Sequence, residues 1–576
     1  MIKRGRFTRW AMSRAVAHPF SLLCLVAFLS ACDSPSALNV KKSPAEAAIA
    51  SADPLATAAG QIILAAGGNA FDAAVAVSAA LAVVEPASSG LGGGGFFLLH
   101  DAATGRQIFL DARETAPAAA TSDMYLDSDG EPLPRATYTG PLAAGIPGLP
   151  AALVHLSENY GRLPLSVSLA PAIELAEAGF SATPRMLLGL KFRRSAYDIS
   201  PAFKEVFIPD NNLPVAGDII LQPDLGTTLR HLAAEGFDGF YSGETAALLI
   251  AGVQEPGGIW TAPDLASYRV VERSPLVFDY RGMRVVTAPP PSSGGVVLAT
   301  MFNILAGYDM DSLSFADQAH INIEAMRRAY RDRAEYLGDP DQIAMPLKRL
   351  LSDDYAAELR GSIDMENATP SASLRPVFSD GSEGSDTTHF SILDTDGNRV
   401  AATQSINTWY GAAFMPAGTG VILNNEMDDF SIKPGAPNSF GLVGAGANSV
   451  APNRRMLSSM SPTFLESADG IAILGSPGGS RIITQVALAA QAWIQGASAT
   501  EMVDLKRYHQ QYLPDTVVYE SGALGPEDVA ELSARGHDLN ESRRPYGNMN
   551  VVTWSYVGGE VEAATDPRGE GEARVY

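Results

Sequence analysis

Cysteine is almost absent: Cys24 and Cys32 are the only two in 576 residues. That scarcity removes zinc-finger, iron–sulfur and disulfide-framework classes. Positive charge is also short, with 41 Lys+Arg against 64 Asp+Glu, a net charge of −23 and a pI near 4.7. A nucleic-acid partner is thereby disfavoured, because phosphate backbones are held by clustered Lys and Arg. The eight histidines form no H-x-x-x-H pair or other metal spacing, and His18 and His537 fall in a basic leader and a polar turn. Asp127 and Asp129 share a glycine-containing turn, but no glutamate completes a calcium loop. A G-x-S-x-G nucleophile elbow is missing as well. Neither the 54 glycines nor the 38 prolines recur with a period, which excludes collagen-like and solenoid folds. What is present is a chain with 46% hydrophobic and 18% charged residues, enough to build a sizeable core. The length allows two to four domains, or one large unit with insertions. These balances describe a large acidic enzyme or binding protein.

The first residues stand apart. Lys3, Arg4, Arg6, Arg9 and Arg14 form a basic segment, followed by an almost wholly apolar run from Phe20 to Ala31. That run is too short for a hydrocarbon core of about 30 Å and suits a signal sequence. It ends in Leu29-Ser30-Ala31-Cys32, which resembles the lipobox of bacterial lipoproteins, where cysteine is lipidated and becomes the new N-terminus. The expectation is a signal peptide over 1–31, a lipid on Cys32 and a tether over 32–50. Export and anchoring at a bacterial membrane, facing the periplasm or cell exterior, follow from it. A plain secretory signal with an incidental cysteine is the alternative. No disulfide or thiol chemistry would remain in the mature chain.

Residues 55–84 read as two helices broken at Gly67-Gly68, the second buried nearly all round because it carries so few charges. Phe96–His100 reads as a strand paired through a turn with Gln107–Asp111. From about 150 to 350 the pattern is mainly helical, with His320–Tyr336 the clearest amphipathic stretch. Residues 361–386 turn Ser-, Gly- and Asp-rich. Order returns at once, as Thr388–Leu393 and Arg399–Ser405 flank the turn Asp394-Thr-Asp-Gly-Asn398 and predict a hairpin.

Gly90-Leu-Gly92-Gly-Gly-Gly95 satisfies the dinucleotide pattern G-x-G-x-x-G. That pattern needs a strand before it and a helix after it, and here the order is reversed. More informative is Asp386-Thr387-Thr388-His389, a threonine opening a strand after a polar linker. Its hydroxyl could attack the preceding carbonyl, and ester hydrolysis would leave Thr387 as a free N-terminus. The new α-amine, with a pKa of about 7.7–8, would then be an adjacent base. On linker and hairpin alone, an ordinary domain boundary is the favoured reading.

Several long motifs in one order decide between them. They are Gly67-Gly-Asn-Ala-Phe-Asp, Glu85-Pro-Ala-Ser-Ser-Gly-Leu-Gly-Gly-Gly-Gly95, Asp111-Ala-Arg-Glu-Thr-Ala-Pro117 and Ala288-Pro-Pro-Pro-Ser-Ser-Gly-Gly295. Asp332-Arg-Ala-Glu-Tyr-Leu-Gly-Asp-Pro340, Leu423-Asn-Asn-Glu-Met-Asp-Asp-Phe430, Leu457-Ser-Ser-Met-Ser-Pro-Thr463 and Gly475-Ser-Pro-Gly-Gly-Ser-Arg481 follow. Over residues 50–568 the chain resembles the γ-glutamyltransferase family of N-terminal-nucleophile hydrolases.

The resemblance implies an α+β fold, a four-layer αββα sandwich, with a large subunit over 51–386 and a small subunit over 387–576 sharing one core after a cut before Thr387. It implies that Thr387 attacks the γ-carbonyl of glutathione or a related γ-glutamyl compound. The acyl group would pass to water or to an amino-acid or peptide acceptor, with no metal or organic cofactor. Gly478 and Gly479 match the oxyanion-hole glycines, where a missing Cβ allows close backbone approach. Arg113, Ser458 and Ser459 match the holders of the substrate α-carboxylate. Asn407, Glu426 and Asp429 match the acceptors of its α-ammonium.

Two positions depart from the family pattern. Ser405 stands where threonine is common, keeping a hydroxyl near the nucleophile. Phe440, in the lid segment 431–441, replaces a tyrosine of several bacterial members and cannot hydrogen-bond Asn407, which predicts a looser lid. Competing readings are an acylase of the same fold for another dicarboxylic-acid amide, a non-catalytic lipid-anchored binding homologue, and a transporter-associated solute binder.

Overall fold

Two short polar side chains decide where the first helices begin. Asp53 accepts a hydrogen bond from Leu55 N (2.7 Å), with Pro54 in the first helical position, and starts α1 (Pro54–Ala65). Asn69 Oδ1 accepts from Phe71 N and Asp72 N, while Asp72 Oδ2 accepts from Asn69 N (3.0 Å), a reciprocal cap that starts α2 (Ala70–Val84). Every residue of α2 is buried, as its lack of charge predicted. Its one acid, Asp72, is satisfied further by the backbone N–H groups of Arg162 and Leu163.

The computed structural model describes residues 43–374 and 387–576. The signal segment, Cys32, most of the expected tether and Asp386 lie outside them. The described residues form one unit, those before residue 375 together with those from 387 onward.

The strands that build it are β1 (Ala48–Ser51), β2 (Gly94–Asp101), β3 (Arg106–Ala112), β4 (Val271–Arg273), β5 (Leu276–Tyr280) and β6 (Met283–Thr287). They continue with β7 (Thr388–Leu393), β8 (Arg399–Ser405), β9 (Thr463–Glu466), β10 (Gly470–Gly475), β11 (Asn550–Ser555), β12 (Val561–Thr565) and β13 (Glu572–Val575). One seven-stranded sheet runs β13-β1-β7-β8-β2-β3-β4, and a six-stranded sheet runs β12-β11-β10-β9-β6-β5. All pairings within both are antiparallel.

The sheets pack face to face. Phe96, Leu98, Phe109, Leu393, Ala401, Phe464, Ile471, Ile473 and Val552 fill the space between them. On the outer face of the seven-stranded sheet, Phe97, Leu99, Phe390, Ile392 and Val400 meet α1, α2 and further helices. Outside the other sheet, Leu465, Ala472 and Leu474 meet α3 (Gly294–Leu305), α4 (Phe315–Tyr336) and α5 (Arg481–Ile494). Helix, sheet, sheet, helix is the four-layer αββα sandwich the motifs implied.

Strand periodicity then fixes where the site lies. In β7 the even positions face the helices, so His389, Ser391 and, by continuation, Thr387 face the gap between the sheets. In β8 the same parity sends Thr403 and Ser405 into that gap.

Three expectations need correction. The tether over 32–50 does not reach residue 50, because Ala48–Ser51 is β1, buried between β7 and β13. The helical reading of 150–350 missed β4, β5 and β6. His537 is not in an exposed polar turn; it is buried and hydrogen-bonded to His320 (2.8 Å).

The glycine run binds no nucleotide loop geometry; it is a point of close backbone approach. A Cβ on Gly92 would stand 2.1 Å from Ile422 O, one on Gly93 2.1 Å from Ser405 O, and one on Gly94 2.4 Å from Ala112 O. Gly93→Ala therefore lowers stability by on the order of 3 kcal/mol, the upper end for overpacking, and disturbs β8 at Ser405. Denaturant unfolding beside wild type checks this; an unchanged midpoint would show that the backbone can yield.

Candidate active site

Continuing the β7–β8 register sets Ser405 opposite Thr387, and their hydroxyl oxygens lie 3.5 Å apart. Ser405 Oγ also accepts from Asn407 N (2.7 Å) and bonds the Glu426 carboxyl. Asn407 has a φ of 79°, a left-handed conformation that asparagine tolerates better than most residues, and it turns the chain out of β8. Its amide donates to Asn425 O (2.9 Å), tying the end of β8 to the acidic segment. His389, two residues past Thr387, is no base for it. Its ring nitrogens meet Thr403 Oγ1 (2.8 Å) and Ser391 Oγ (3.1 Å), and burial lowers its pKa to about 3.

Across the gap sits a buried charge cluster. Arg113 leaves β3 with its guanidinium against Glu426 (2.6 Å), Asp429 (2.5 Å) and Glu114 (3.5 Å), and its Nε donates to Met456 O (3.1 Å). The acidic turn Glu426–Asp429 is thus not a solvated one. Burial, with help from Asp429, raises the Glu426 pKa to about 7 despite the pull of Arg113 and the Ser405 hydroxyl. Burial and the Glu426 charge hold Glu114 well above the usual carboxylate range. Asp428 faces elsewhere, accepting from Thr137 Oγ1 (2.7 Å) and Ser439 N (2.8 Å), and burial raises it to about 6.

Gly478 (φ 134°) and Gly479 (φ 56°) form the turn between β10 and α5, both in backbone regions that disfavour a side chain. Space adds a second reason: a Cβ on Gly479 would stand 2.3 Å from the Phe440 ring. The turn leads directly into the N-terminus of α5, where Arg481 N and Ile482 N donate to Gly478 O (3.1 Å) and Gly479 O (3.2 Å) and the helix dipole favours negative charge.

The lid is more firmly held than the loss of a tyrosine hydroxyl suggested. Asn438 Nδ2 donates to Asp429 Oδ1 (2.9 Å), and Asn438 Oδ1 accepts from Phe440 N (3.0 Å). Phe440 O accepts from Gln511 Nε2 (3.0 Å), and the ring is buried against Gly479. Backbone and amide bonds thus replace the missing hydroxyl.

Arg113, Thr387, Ser405, Asn407, Glu426, Asp429, Phe440, Ser458, Ser459 and Gly479 line one narrow cleft. Gly478 belongs to the adjoining turn without lining the cleft, and Cys32 lies outside the described residues. Sequence reasoning missed Leu442, Met460 and Ile482, apolar residues that close the cleft. It also gave no role to Glu114 and Arg333, although both stand inside quoted motifs. Among the described residues no group of three or more His, Cys, Asp or Glu is placed to hold a metal ion.

Two face-to-face antiparallel sheets between helical layers, with a threonine hydroxyl opening a central strand into a polar cleft, define an N-terminal-nucleophile hydrolase. A solved architecture supports this: a cephalosporin acylase from Bacillus halodurans superposes with a TM-score of 0.81 at 28% identity, covering 95% of this chain and 98% of that one. The chain belongs to the gamma-glutamyltranspeptidase family, whose model matches residues 56–576. It is 45% identical to a glutathione hydrolase proenzyme of Pseudomonas sp. (strain A14), over 85% of each chain. With the glutathione hydrolase proenzyme of Escherichia coli (strain K12) it shares 41% identity over 90% of each chain.

Removing the Arg113 guanidinium leaves two buried carboxylates without their partner. Arg113→Ala therefore costs roughly 3–5 kcal/mol at pH 8. The sign with pH follows from Glu426. Its folded value lies above the ordinary 4.5, so its contribution favours the folded chain below about 4.5 and is lost as pH rises through about 7. Protonated Glu426 needs no cation, so the penalty of Arg113→Ala shrinks at pH 5.5. Denaturant unfolding at both pH values checks this, and equal losses would place the effect elsewhere.

Proposed function

We propose that this protein cleaves the γ-glutamyl amide of glutathione and related compounds and passes the acyl group to water or to an amino-acid or peptide acceptor. The observation that carries the reading is the meeting, in one cleft, of the Thr387 hydroxyl with both a cationic and an anionic recognition group. A free amino-acid end is a zwitterion. Its carboxylate can take over guanidinium N–H donors of Arg113, as its ammonium takes over Glu426 and Asp429. The exchange swaps ion pairs without creating a net buried charge, which a simple anion could not do. Ser458 and Ser459 border the same end of the cleft and add hydroxyl donors. An acylase for a glutaryl-type amide fits less well, because its acyl group brings no cation to the two carboxylates.

The chemistry follows in balanced steps. The α-amine of Thr387, freed by self-cleavage after Asp386, accepts the proton as Thr387 Oγ adds to the γ-carbonyl carbon. The resulting oxyanion meets the N–H groups of Gly478 and Gly479 at the head of α5. The C–N bond breaks, the leaving amine takes the proton, and an ester on Thr387 remains. Water or an acceptor amine then adds to that ester, giving its proton to the α-amine; the acyl C–Oγ bond breaks, Oγ recovers the proton from the α-amine, and glutamate or the new γ-glutamyl amide leaves. Ser405, bonded to Asn407 N and Glu426, holds a hydroxyl beside the nucleophile.

Processing would yield a large subunit (51–386) and a small subunit (387–576) that stay together as a heterodimer. The leader supports an exported protein, anchored by a lipid on Cys32 at a membrane. No helix among the described residues is long and apolar enough to cross one.

Thr387→Ala is expected to abolish both self-cleavage and turnover of a γ-glutamyl anilide, with intact mass showing one uncut chain. Two normal fragments from that variant would remove Thr387 from the role. Cys32→Ser is expected to shift the protein from the membrane to the soluble fraction of expressing cells. Unchanged membrane retention would discard the lipid anchor.

A further inference from the structure

Arg333 is a cation near the cleft with no carboxylate in ion-pair contact among the described residues. It sits in the last turn of α4, 5% exposed, where the helix C-terminus favours positive charge. Its Nε donates to Ser293 Oγ (3.0 Å) and its Nη2 lies 3.4 Å from Ser459 Oγ. Among the described residues no carboxylate oxygen comes within ion-pair distance of it; Asp429 acts on it only from farther away. The contrast with Arg113 is sharp, since that guanidinium already faces three carboxylates.

The two bonds of Arg333 lead to the two serines of the cleft. Ser459 receives one directly. Ser293 receives the other and passes it on, because its hydroxyl donates to Ser458 O (2.8 Å), reinforced by Ser293 N to the same carbonyl (2.7 Å). An arginine N–H can only donate, so each serine hydroxyl it meets is bound as an acceptor. Ser459 is thereby oriented to present its own O–H to the cleft. The charge behind that hydroxyl strengthens it as a donor toward an anion.

We propose that Arg333 is a positioning and specificity residue: it orients Ser459 and Ser458 and supplies the uncompensated positive charge that selects acyl donors bearing an α-carboxylate. This rests on the γ-glutamyl reading above and adds to it how the carboxylate is told apart from its absence. Arg113 contributes to the distinction by exchanging ion pairs, whereas Arg333 contributes a charge that no such exchange has to release. Lysine in place of Arg333 would keep the charge but lose the fork that reaches Ser293 and Ser459 together.

The test compares L-glutamate with 4-aminobutyrate, its counterpart without the α-carboxylate, by calorimetric binding, and the two corresponding p-nitroanilides by turnover. In Arg333→Met the glutamate Kd and γ-glutamyl anilide KM rise roughly tenfold, the loss of a charged hydrogen bond. The same variant leaves kcat within about threefold and 4-aminobutyrate binding unaltered, and Arg333→Lys recovers part of the loss. Equal losses on both ligands, or a lysine variant no better than methionine, would overturn the proposal. Should Arg333→Met fail to fold, Ser293→Ala cuts the link to Ser458 with the charge in place; a weakened preference for glutamate supports the proposal, and an unaltered one refutes it. Wild type that binds glutamate selectively but turns over no anilide overturns the transfer reading alone. Wild type that binds neither ligand overturns both.

Discussion

Three backbone segments must pass within van der Waals contact of one run of glycines, and the whole cleft depends on that meeting. Gly92 touches the segment leading to Glu426, Gly93 touches the end of β8 at Ser405, and Gly94 touches the end of β3 just before Arg113. Each contact is with a carbonyl oxygen, so no rotamer change could relieve an added methyl. Asn424 seals the junction, accepting from Gly145 N and donating to the carbonyls of Gly92 and Gly145. Residues hundreds of positions apart are thereby brought to a common point by backbone alone. Side chains then need only short reach, which is how a site gains precision from rigid elements rather than from long flexible groups.

The charge cluster built on this frame is costly to bury and well paired in compensation. Arg113 binds Glu426 and Asp429, Asn438 ties Asp429 to the lid, and Phe440 lies on Gly479. The charge cluster, the segment carrying Asn438 and Phe440, and the Gly478-Gly479 turn are consequently one connected network. A ligand that rearranges the ion pairs also acts on the lid through Asp429 and Asn438, so binding and closure are coupled by shared bonds.

Much of this was legible from the chain. The two helices broken at Gly67-Gly68 were readable, the β7–β8 hairpin was bounded by its turn, and motif order singled out Thr387 and most of the cleft residues. What escaped has a common physical cause: partners far away in sequence. Ala48–Ser51 is too short and too small to look like a strand, and its neighbours β7 and β13 lie more than 300 residues on. The acidic turn looked solvated because its counter-ion, Arg113, is equally distant. In α4, Glu324, Arg327, Arg328, Asp332 and Arg333 are all buried. A charge-rich helix of that kind reads as a surface element until pairs such as Arg328–Glu324 (2.5 Å) are seen.

The strand order carries one more consequence. Of the seven strands in the larger sheet, β13, β7 and β8 follow residue 386, whereas β1, β2, β3 and β4 precede it, and β1 is inserted between β13 and β7. In the smaller sheet β5 and β6 share one sheet with four strands from the later part, joined through the β6–β9 pairing. A cut before Thr387 therefore separates the pieces chemically while leaving them laced through one another. Unfolding of the intact chain is a first-order event that the same molecule can reverse. After the cut, the reverse reaction needs two different molecules to meet and interleave strand by strand, so it depends on concentration and competes with aggregation. Self-processing at that point would thus convert a protein that can hold its fold by equilibrium into one that keeps it by the slowness of its own unfolding.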